Sequence, residues 1–448
     1  MKRRHRKSLA ATLCLAALGI SLLLLAGGCG GSTGAGGSEV SVNAAKLIIE
    51  TGGYAPAGPP GISREEMPGG LASLGDVNGD GYTDLVIGSG AHPGSFAAYS
   101  GKDGKTLWEV KARTGEGGYT LEDFMMIGDV NADGISDIYI QNAWSGKEFF
   151  IFSGRDGAEL ARRECFTRFR PLRAEDVTGD GVSDLFFKSE RGFYVVSGKD
   201  FSPVSEHNAV LPEDRPRYRW LMSRYADVNG DGVDEHVVGH DPANVWEIKV
   251  LSGTDFGVLG KFSLEKRPMS NNATFACPGD VDGDGVPDLM MAATKGAGPQ
   301  NESSFLLAMS GRTGQVLWEV LGTSLPGGPA GFAVDAKTGE RRELPADVGF
   351  GNQVVVLPDT DGDGANEVAT ALPITVSGKR RTGVLIFSGA SGEHIGTMHP
   401  KEKQGRLIGS QMVVLESADG KGRPGLAVNG RVAEDKHMVA VFLLPKAG

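Results

Sequence analysis

The amino-acid sequence predicts an all-β protein, a seven-bladed β-propeller whose blades are four-stranded antiparallel sheets. The main observation is a nine-residue acidic motif that occurs six times intact and once in eroded form. The intact copies begin at Asp76, Asp129, Asp176, Asp227, Asp280 and Asp359, and the eroded copy begins at Ser417. Successive copies start 53, 47, 51, 53, 79 and 58 residues apart. A period near ~50 residues is typical of propeller blades rather than of helical solenoids.

Each copy of the motif is flanked by short apolar runs that favour β-strands. Residues 124–127 precede the second copy, and residues 85–87 and 289–291 follow the first and fifth copies. Further along each intact unit, another apolar run ends in a Ser-Gly pair and a short turn, as at Ser100 and Gly101, which is a hairpin signal. Each unit therefore reads as four strands, and radial repetition of such units predicts a propeller.

The two ends of the chain predict how the ring closes. The last unit stops at residues 438–444 without a Ser-Gly turn or a fourth strand, whereas residues 46–50 form an apolar run before the first motif copy. We predict that this N-terminal strand completes the last blade. The alternative is an edge strand on the first blade.

The motif has the composition of a calcium-binding loop. Positions 1, 3, 5 and 9 carry oxygen-bearing side chains, position 6 is a glycine that permits a sharp turn, and position 7 offers a backbone carbonyl. Such ligands suit a hard cation, so we predict about six structural calcium ions, one for each intact copy. The candidate ligands are Asp76, Asn78, Asp80, Tyr82 and Asp84 in blade 1; Asp129, Asn131, Asp133, Ile135 and Asp137 in blade 2; Asp176, Thr178, Asp180, Val182 and Asp184 in blade 3; Asp227, Asn229, Asp231, Val233 and Glu235 in blade 4; Asp280, Asp282, Asp284, Val286 and Asp288 in blade 5; and Asp359, Asp361, Asp363, Ala365 and Glu367 in blade 6.

EF-hand and dockerin loops share the first positions of the motif but are excluded. An EF-hand loop needs a glutamate at position 12 between two helices. Here position 12 is Ile87, Ile140 or Phe187 in the first three copies, each within a predicted strand.

The seventh copy has lost most of its ligands. In register it offers Ser417, Asp419, Lys421 and Gly425, so three of the four ligand side chains are missing. We predict that the Lys421 ammonium pairs with Asp419 and replaces the ion. The alternative is a solvated lysine at the tip of the loop.

The segment 75–88, Gly-Asp-Val-Asn-Gly-Asp-Gly-Tyr-Thr-Asp-Leu-Val-Ile-Gly, resembles the FG-GAP (VCBS-type) repeat of integrin α-subunit propellers and of many bacterial surface proteins. The resemblance extends over residues 45–448 and rests on the calcium loops, because most blades lack Phe-Gly and Gly-Ala-Pro landmarks. It implies a calcium-stabilised propeller. It leaves the activity open, since such propellers serve in adhesion, in ligand binding and as accessory parts of enzymes.

Residues 1–28 have the pattern of an export signal. Five basic residues within positions 2–7 precede an apolar stretch at residues 9–26. The sequence Ala-Gly-Gly-Cys that ends at Cys29 resembles the bacterial lipoprotein signal and implies lipidation of Cys29; the alternatives are ordinary cleavage with a free Cys29 or an uncleaved anchor. Residues 29–44, rich in Gly and Ser, predict a flexible tether. We therefore expect an exported protein, lipid-anchored to the bacterial cell envelope and facing outside or the periplasm.

Composition argues against nucleic acid as a partner. Without the five basic residues of the signal, 40 Lys and Arg face 56 Asp and Glu, a net charge of −16. A nucleic-acid-binding surface would need a basic patch, and much of the acidic excess is predicted metal ligand. Cys165 and Cys277 fall in different blades, so we predict two buried free thiols.

No motif assembles a convincing catalytic site, so we predict that the protein is not an enzyme. Residues 101–106 approach a phosphate-loop pattern but form a hairpin turn. His236 and His240 share a strand face, which is compatible with a metal site or with packed histidines. Residues 100–108 and 309–318 resemble the tryptophan-docking repeat of quinone-dependent dehydrogenase propellers. A quinoprotein-like enzyme, or an accessory subunit of an envelope enzyme, is therefore the alternative.

The sequence favours a calcium-stabilised cell-surface module for binding or scaffolding. In an up-and-down blade the acidic loops and the Ser-Gly turns share one face, while the variable stretches 53–70 and 318–352 lie on the other. Variable loops on a rigid scaffold are where binding usually resides. We therefore expect adhesion to, or assembly with, a protein or glycan through the face opposite the acidic loops. The competing hypothesis is a purely structural envelope component.

Overall fold

The computed structural model of the chain describes residues 40–42, 45–51, 70–88, 95–111, 124–141, 148–164, 171–173, 176–188, 193–207, 220–240, 245–265, 273–293, 304–322, 331–334, 341–344, 353–376, 379–400, 405–433 and 436–445. The predicted signal, Cys29 and Cys165 lie outside these ranges. Cys277 is a free thiol, as predicted, but it is only partly buried. The described residues form 31 strands and no α-helix, so none of them belongs to an apolar helix that could cross a membrane.

Seven sheets form the blades of a propeller. The chain begins with β1 (Val40–Val42) and β2 (Leu47–Thr51). Blade 1 contains β3 (Gly70–Gly75), β4 (Asp84–Gly88), β5 (Ser95–Tyr99) and β6 (Thr106–Lys111), and blade 2 contains β7 (Phe124–Gly128), β8 (Asp137–Gln141), β9 (Glu148–Phe152) and β10 (Glu159–Glu164). Blade 3 contains β11 (Pro171–Arg173), β12 (Leu185–Lys188), β13 (Phe193–Val196) and β14 (Pro203–His207), and blade 4 contains β15 (Trp220–Arg224), β16 (His236–His240), β17 (Val245–Leu251) and β18 (Val258–Glu265).

The remaining strands complete the ring and add one hairpin. Blade 5 contains β19 (Ala273–Gly279), β20 (Asp288–Ala293), β21 (Phe305–Met309) and β22 (Val316–Leu321). A separate hairpin follows, β23 (Gly331–Val334) with β24 (Arg341–Leu344), within the long insertion before blade 6. Blade 6 contains β25 (Val354–Leu357), β26 (Glu367–Val376), β27 (Lys379–Phe387) and β28 (His394–Met398), and blade 7 contains β29 (Arg406–Leu415), β30 (Gly425–Ala433) and β31 (Lys436–Leu443).

The N-terminal strand closes the ring, as predicted. β2 pairs antiparallel with β31, with Ile49 opposite Val439, and so becomes the fourth strand of blade 7. First strands of neighbouring blades contact one another, including β29 of blade 7 with β3 of blade 1. The fold is therefore a closed seven-bladed β-propeller with the first strands at its centre.

The start of the chain differs from the prediction at one point. A flexible tether is predicted over residues 29–44, but β1 pairs parallel with β28, with Val40 opposite Gly396 and Val42 opposite Met398. The Val-Ser-Val alternation suits a strand, and the outer strand of a blade offers unpaired backbone groups. The predicted tether therefore contains a short strand at residues 40–42.

Hydrophobic clusters between blades hold the ring together. Second strands are buried between their neighbours, which explains their continuous apolar runs; every residue of β20 is buried. Fourth strands lie at the rim, and β10 is largely exposed. Seven clusters of buried side chains each join two adjacent blades. In one of them, Val86 and Phe96 of blade 1 pack with Ile138 and Phe150 of blade 2.

Two tryptophans on fourth strands tie one blade to the next. Trp108 Nε1 donates a hydrogen bond to Gly154 O of blade 2 at 3.1 Å, and Trp318 Nε1 donates to Gly389 O of blade 6 at 2.7 Å. The second indole lies on a turn glycine, because a Cβ at Gly392 would come within 2.5 Å of Trp318 Cε3. The two segments that resemble tryptophan-docking repeats therefore serve blade packing.

Candidate metal-binding loops

The six intact motif copies form loops of one geometry between the first and second strands of their blades. In blade 1, Asp76 accepts hydrogen bonds from Asp80 N at 3.0 Å and from Gly81 N at 2.8 Å. Asp80 Oδ1 accepts a bond from Tyr82 N at 3.0 Å. Gly81 has φ +86°, a left-handed conformation that glycine adopts without steric cost. These bonds wrap the backbone around the side-chain oxygens.

The same bonds recur in all six loops. The first-position aspartate accepts a bond from the position-6 glycine N–H at 2.6 to 3.0 Å. The fifth-position aspartate accepts a bond from the position-7 N–H at 2.8 to 3.0 Å. Blade 3 differs at position 3, where the Thr178 hydroxyl donates to Asp176 Oδ1 at 3.3 Å. The predicted ligands are therefore brought together in each loop by a shared backbone framework.

The ninth-position acid is the buried part of each loop. All six of these side chains are fully buried: Asp84, Asp137, Asp184, Glu235, Asp288 and Glu367. In the four aspartate loops, one carboxylate oxygen accepts a bond from the glycine N–H of the Ser-Gly turn at 2.8 to 3.2 Å. The other oxygen accepts a bond from an N–H at position 2 or 3 of its own loop. The carboxylate thus ties the acidic loop to the Ser-Gly turn, and both lie on one face, hereafter the loop face.

Blades 4 and 6 have glutamate at the ninth position, and each leaves one oxygen without a donor. Glu235 Oε2 accepts a bond from Val228 N at 2.6 Å, but the buried Glu235 Oε1 has no hydrogen-bond partner. Glu367 Oε1 accepts bonds from Thr360 N and Asp361 N at 2.7 and 2.9 Å, whereas Glu367 Oε2 has no partner. A buried carboxylate oxygen without a donor is costly, and a cation bound to it would remove that cost.

The acids converge most closely in blades 4, 5 and 6. In each of these loops, one oxygen from each of three acids lies within 4.8 Å of the other two. The groups are Asp227, Asp231 and Glu235; Asp280, Asp282 and Asp288; and Asp359, Asp361 and Glu367. Within the part of the chain that the structure describes, no other loop meets this criterion. Such clusters of carboxylates can bind a metal ion.

Burial and neighbouring charge act together on the ninth-position acids. Burial raises the pKa of Asp84, Asp184, Glu235, Asp288 and Glu367. It raises the pKa of Asp137 to about 6, although backbone N–H bonds act in the opposite direction, and the Asp133 carboxylate adds to the increase. A divalent cation would favour the ionised carboxylates and offset both effects.

Arginines from the Ser-Gly turns contact two of the loops. Arg312 donates from Nε to Asp284 Oδ2 at 3.0 Å and from Nη2 to Asp284 O at 2.8 Å. Arg155 contacts Asp133 of blade 2 in the same way. These contacts were not predicted from the sequence, although a basic residue directly after the Ser-Gly pair could have indicated them. A cation bound at the fifth-position carboxylate would therefore compete with these two guanidinium groups.

The seventh loop has no ninth-position acid, because Gly425 occupies that place. Lys421 is exposed, and its backbone N–H rather than its ammonium bonds Asp419 Oδ1, at 2.8 Å. The prediction that the Lys421 ammonium pairs with Asp419 is therefore wrong. A cation from the other end of the chain contacts this loop, because the Lys46 ammonium donates to Ala418 O.

Two other side chains near blade 4 stay outside the metal-binding arrangement. Asp234, next to the ninth-position acid, pairs with Arg224 at 2.7 Å between Oδ2 and Nε. The His236 ring is 1% exposed and packs on Phe186 at a centroid distance of 4.5 Å. Burial lowers the pKa of His236 to about 4, so a packed, neutral histidine fits this position. The side chain of His240 lies outside the described residues.

A cleft of about 420 Å³ opens on the loop face between the loops of blades 6 and 7. Its lining includes Asp359 and Asp419 together with Lys421 and Arg423. The cleft is thus of mixed charge and adjoins a candidate metal site. The variable stretches that are predicted to form the recognition surface lie mostly outside the described residues.

Part of the chain matches a known protein family, and the chain is similar to solved structures. Residues 76–140, which contain the first two motif copies, match the family of the FG-GAP-like repeat. Similar solved structures include the Dos1 propeller, with 10% identity, a TM-score of 0.45 and coverage of 90% of this chain and 96% of that chain. Another is BBS1N in complex with ARL6DN, soaked with lead, with 11% identity, a TM-score of 0.35 and coverage of 72% and 92%. No curated protein matches the chain in sequence.

Proposed function

Since this chain is a seven-bladed β-propeller built on an FG-GAP-like repeat, we propose that it is a non-catalytic binding or scaffolding module stabilised by about six structural calcium ions. The observation that carries the calcium assignment is the pair of buried glutamate oxygens, Glu235 Oε1 and Glu367 Oε2. Each belongs to a group of three acids, and neither has a hydrogen-bond donor. A protonated carboxyl or a bound cation would satisfy these atoms. The two neighbouring acids of each group offer further oxygen ligands, which a cation can use and a single proton cannot.

The proposed ligands in each loop are the side chains at positions 1, 3, 5 and 9 and the carbonyl at position 7. Their oxygen chemistry is that of a calcium site, and the ion would neutralise a concentrated negative charge. Because the buried ninth-position acid lies at the start of the second strand, the ion would fasten the loop to the sheet. Calcium in this proposal stabilises the blades and takes no part in a reaction.

The energetic effect of six such ions is large compared with the stability of a domain. Extracellular calcium modules bind at roughly 10⁻⁴ to 10⁻³ M. At a free concentration roughly ten times Kd, each site adds about 1.4 kcal/mol, so six add about 8 kcal/mol. Net stabilities of folded proteins are about 5–15 kcal/mol. Calcium would therefore decide whether the propeller stays folded under mild stress.

The calcium proposal is tested by counting ions and by thermal unfolding of the full chain. Native mass spectrometry in millimolar calcium should show about six bound ions, and a chelator should lower the melting temperature strongly. Magnesium at the same concentration should give a smaller stabilisation, because it requires a stricter octahedral geometry than calcium and gives up its bound water less readily. A count of zero or one, with the same melting temperature in chelator, would contradict the proposal.

We place the partner-binding surface on the face opposite the loop face, where the proposed partner is a protein or a glycan. The support is topological. In an up-and-down blade the fourth strand ends, and the next first strand begins, on the face opposite the loop face, and the long insertion lies between β22 and β25 in the sequence while the other variable stretch lies between β2 and β3. Lys105 and Lys111 offer a matched test, since both are exposed and they flank β6 at its two ends. A photo-crosslinker at Lys111 should capture partners in the cell envelope more efficiently than one at Lys105. The reverse result would move the binding surface to the loop face and its cleft.

Export and lipid anchoring at Cys29 are part of the same proposal. They rest on the N-terminal basic and apolar segments and on the residues that precede the cysteine. Cys29→Ala should shift the protein from the membrane fraction to the soluble fraction and remove any incorporated acyl label. An unchanged membrane association would contradict lipidation at this residue.

A further inference from the structure

The seventh loop retains the turn of the other six loops but has no room for an acidic side chain at position 9. Gly422 N donates to Ser417 Oγ at 3.1 Å, which reproduces the bond between positions 6 and 1 of the other loops. At position 9, a Cβ on Gly425 would lie 2.5 Å from Ala418 Cβ and 2.7 Å from Phe442 O. A buried acid therefore cannot be accommodated at this position without rearrangement. The loop keeps its shape by other means.

A lysine from the other end of the chain reaches this loop. Lys46 immediately precedes β2, and its backbone N–H donates to Val441 O at 2.7 Å. Its ammonium donates a hydrogen bond to Ala418 O and lies 4.4 Å from the centre of the Tyr82 ring. Burial lowers the pKa of Lys46, and the nearby Asp419 carboxylate acts in the opposite direction by favouring the charged ammonium. A backbone carbonyl, a carboxylate and an aromatic face together form a suitable environment for a cation.

The seventh loop is also bonded to the loop of blade 1. Thr83 N donates to Ser417 O at 2.8 Å, and Ser417 N donates to Thr83 Oγ1 at 2.9 Å. The Tyr82 ring lies on Gly420, where a Cβ would come within 2.4 Å of it. Lys46 therefore contacts both sides of the junction between the last blade and the first.

We propose that the seventh loop is a binding site for the chain's own ammonium group, that of Lys46, which takes the place of a metal ion and latches the closed ring. The cation arrives with the strand that closes the propeller, so the loop is completed only when β2 is in place. The first and last blades are then joined by contacts that do not depend on calcium, whereas the six intact loops are proposed to depend on it.

The latch is tested by hydrogen–deuterium exchange of the full chain in excess chelator, which makes the result independent of the calcium proposal. Lys46→Met removes the charge but keeps the length of the side chain. We expect the amides of the seventh loop and of β2 to exchange about two- to fivefold faster, the effect of losing one exposed cation–π contact of about 0.5–1 kcal/mol. Lys46→Arg should restore most of the protection, because the guanidinium retains the charge and reaches the same ring.

Lys102→Met is the matched control. The Lys102 ammonium lies 5.6 Å from the centre of the same Tyr82 ring, but it approaches from the Ser-Gly turn of blade 1. The Lys102→Met substitution should therefore leave the exchange rates of the amides in the seventh loop unchanged. The latch would be overturned if the amides of the seventh loop and of β2 exchanged equally slowly in the wild type and in Lys46→Met. It would also be overturned if Lys421→Met accelerated their exchange as much as Lys46→Met does.

Ion counting of the wild-type protein gives a second test that needs no variant. Seven bound calcium ions would overturn the latch, because the seventh loop would then hold a metal. Six ions would support it. A count of zero would contradict the calcium proposal, and the exchange experiment in chelator would still decide on the latch.

Discussion

Glu367→Gln is the substitution that most directly separates a metal ligand from a structural side chain. Glu367 is fully buried, and its Oε1 accepts bonds from Thr360 N and Oγ1 at 2.7 and 2.9 Å. A glutamine amide oxygen can accept the same bonds, so the fold of the loop should persist. The substitution removes the charge and replaces one potential ligand oxygen with an NH₂ group, which cannot bind calcium. The effect should therefore depend on calcium.

The expected magnitude follows from the loss of one site in six. At roughly ten times Kd, one calcium ion contributes about 1.4 kcal/mol. With an unfolding entropy of about 2.1 cal/mol/K per residue and about 400 residues, this corresponds to about 2 °C in melting temperature. In chelator the substitution should leave the melting temperature unchanged or raise it. Burial disfavours the charged form of Glu367 and so raises its pKa, and an uncharged amide avoids that cost.

Differential scanning calorimetry in calcium and in chelator, combined with ion counting, measures both parts of this prediction. Glu416→Gln is the control, since Glu416 is exposed and precedes the seventh loop. We expect Glu367→Gln to bind one ion fewer and Glu416→Gln to match the wild type. A loss of stability of equal size in calcium and in chelator, with six ions still bound, would refute the role of Glu367 as a ligand.

Three further perturbations test other parts of the structure. Because the folded-state pKa of Asp137 is raised to about 6, the folded chain binds more protons than the unfolded one between pH 4 and 6. The metal-free protein should therefore gain stability as the pH falls from 7 to 5, and Asp137→Asn should weaken this dependence in thermal melts. Gly392→Ala should lower the free energy of unfolding more than Gly422→Ala does. Both glycines have positive φ, which costs an alanine about 1 kcal/mol, but only Gly392 also lies against an indole. Equal losses of stability in denaturant unfolding would contradict the tight packing at Gly392. Arg312→Ala should raise the calcium affinity of blade 5 by up to about fivefold in titration calorimetry, because a surface ion pair of up to about 1 kcal/mol is removed; an unchanged affinity would show that the arginine does not compete.

The repeat architecture was accessible from the sequence because each unit encodes its own structure locally. Three features recur at corresponding places in successive units. The acidic motif predicts the loop between the first and second strands, the apolar run after it predicts the second strand, and the Ser-Gly pair predicts the turn between the third and fourth strands. The closing strand was also predictable, because residues 46–50 had no partner in blade 1 and blade 7 lacked a fourth strand. The observed β2 pairs in that place.

Differences between the loops were harder to predict because they depend on side-chain reach. Aspartate and glutamate are interchangeable in the motif, yet Asp84 bonds the glycine N–H of its turn and Glu367 leaves one oxygen without a donor. One additional methylene changes which groups the carboxylate meets. The contacts of Arg312 similarly depend on where a turn in one part of the blade meets a loop in another.

Contacts at the ring junction could not be predicted from the motif, because they join distant parts of the chain. Lys46 and Ala418 are 372 positions apart and meet only when the propeller is closed. In the seventh copy Lys421 occupies the fifth ligand position, whereas closure of the ring brings the ammonium of Lys46 to the loop. A tethered ammonium has an effective concentration that external calcium changes little, so the junction and the six intact loops should respond differently to calcium depletion. On calcium depletion, we then expect local unfolding to begin in the blades whose loops depend on calcium, and to reach the junction of blades 7 and 1 last.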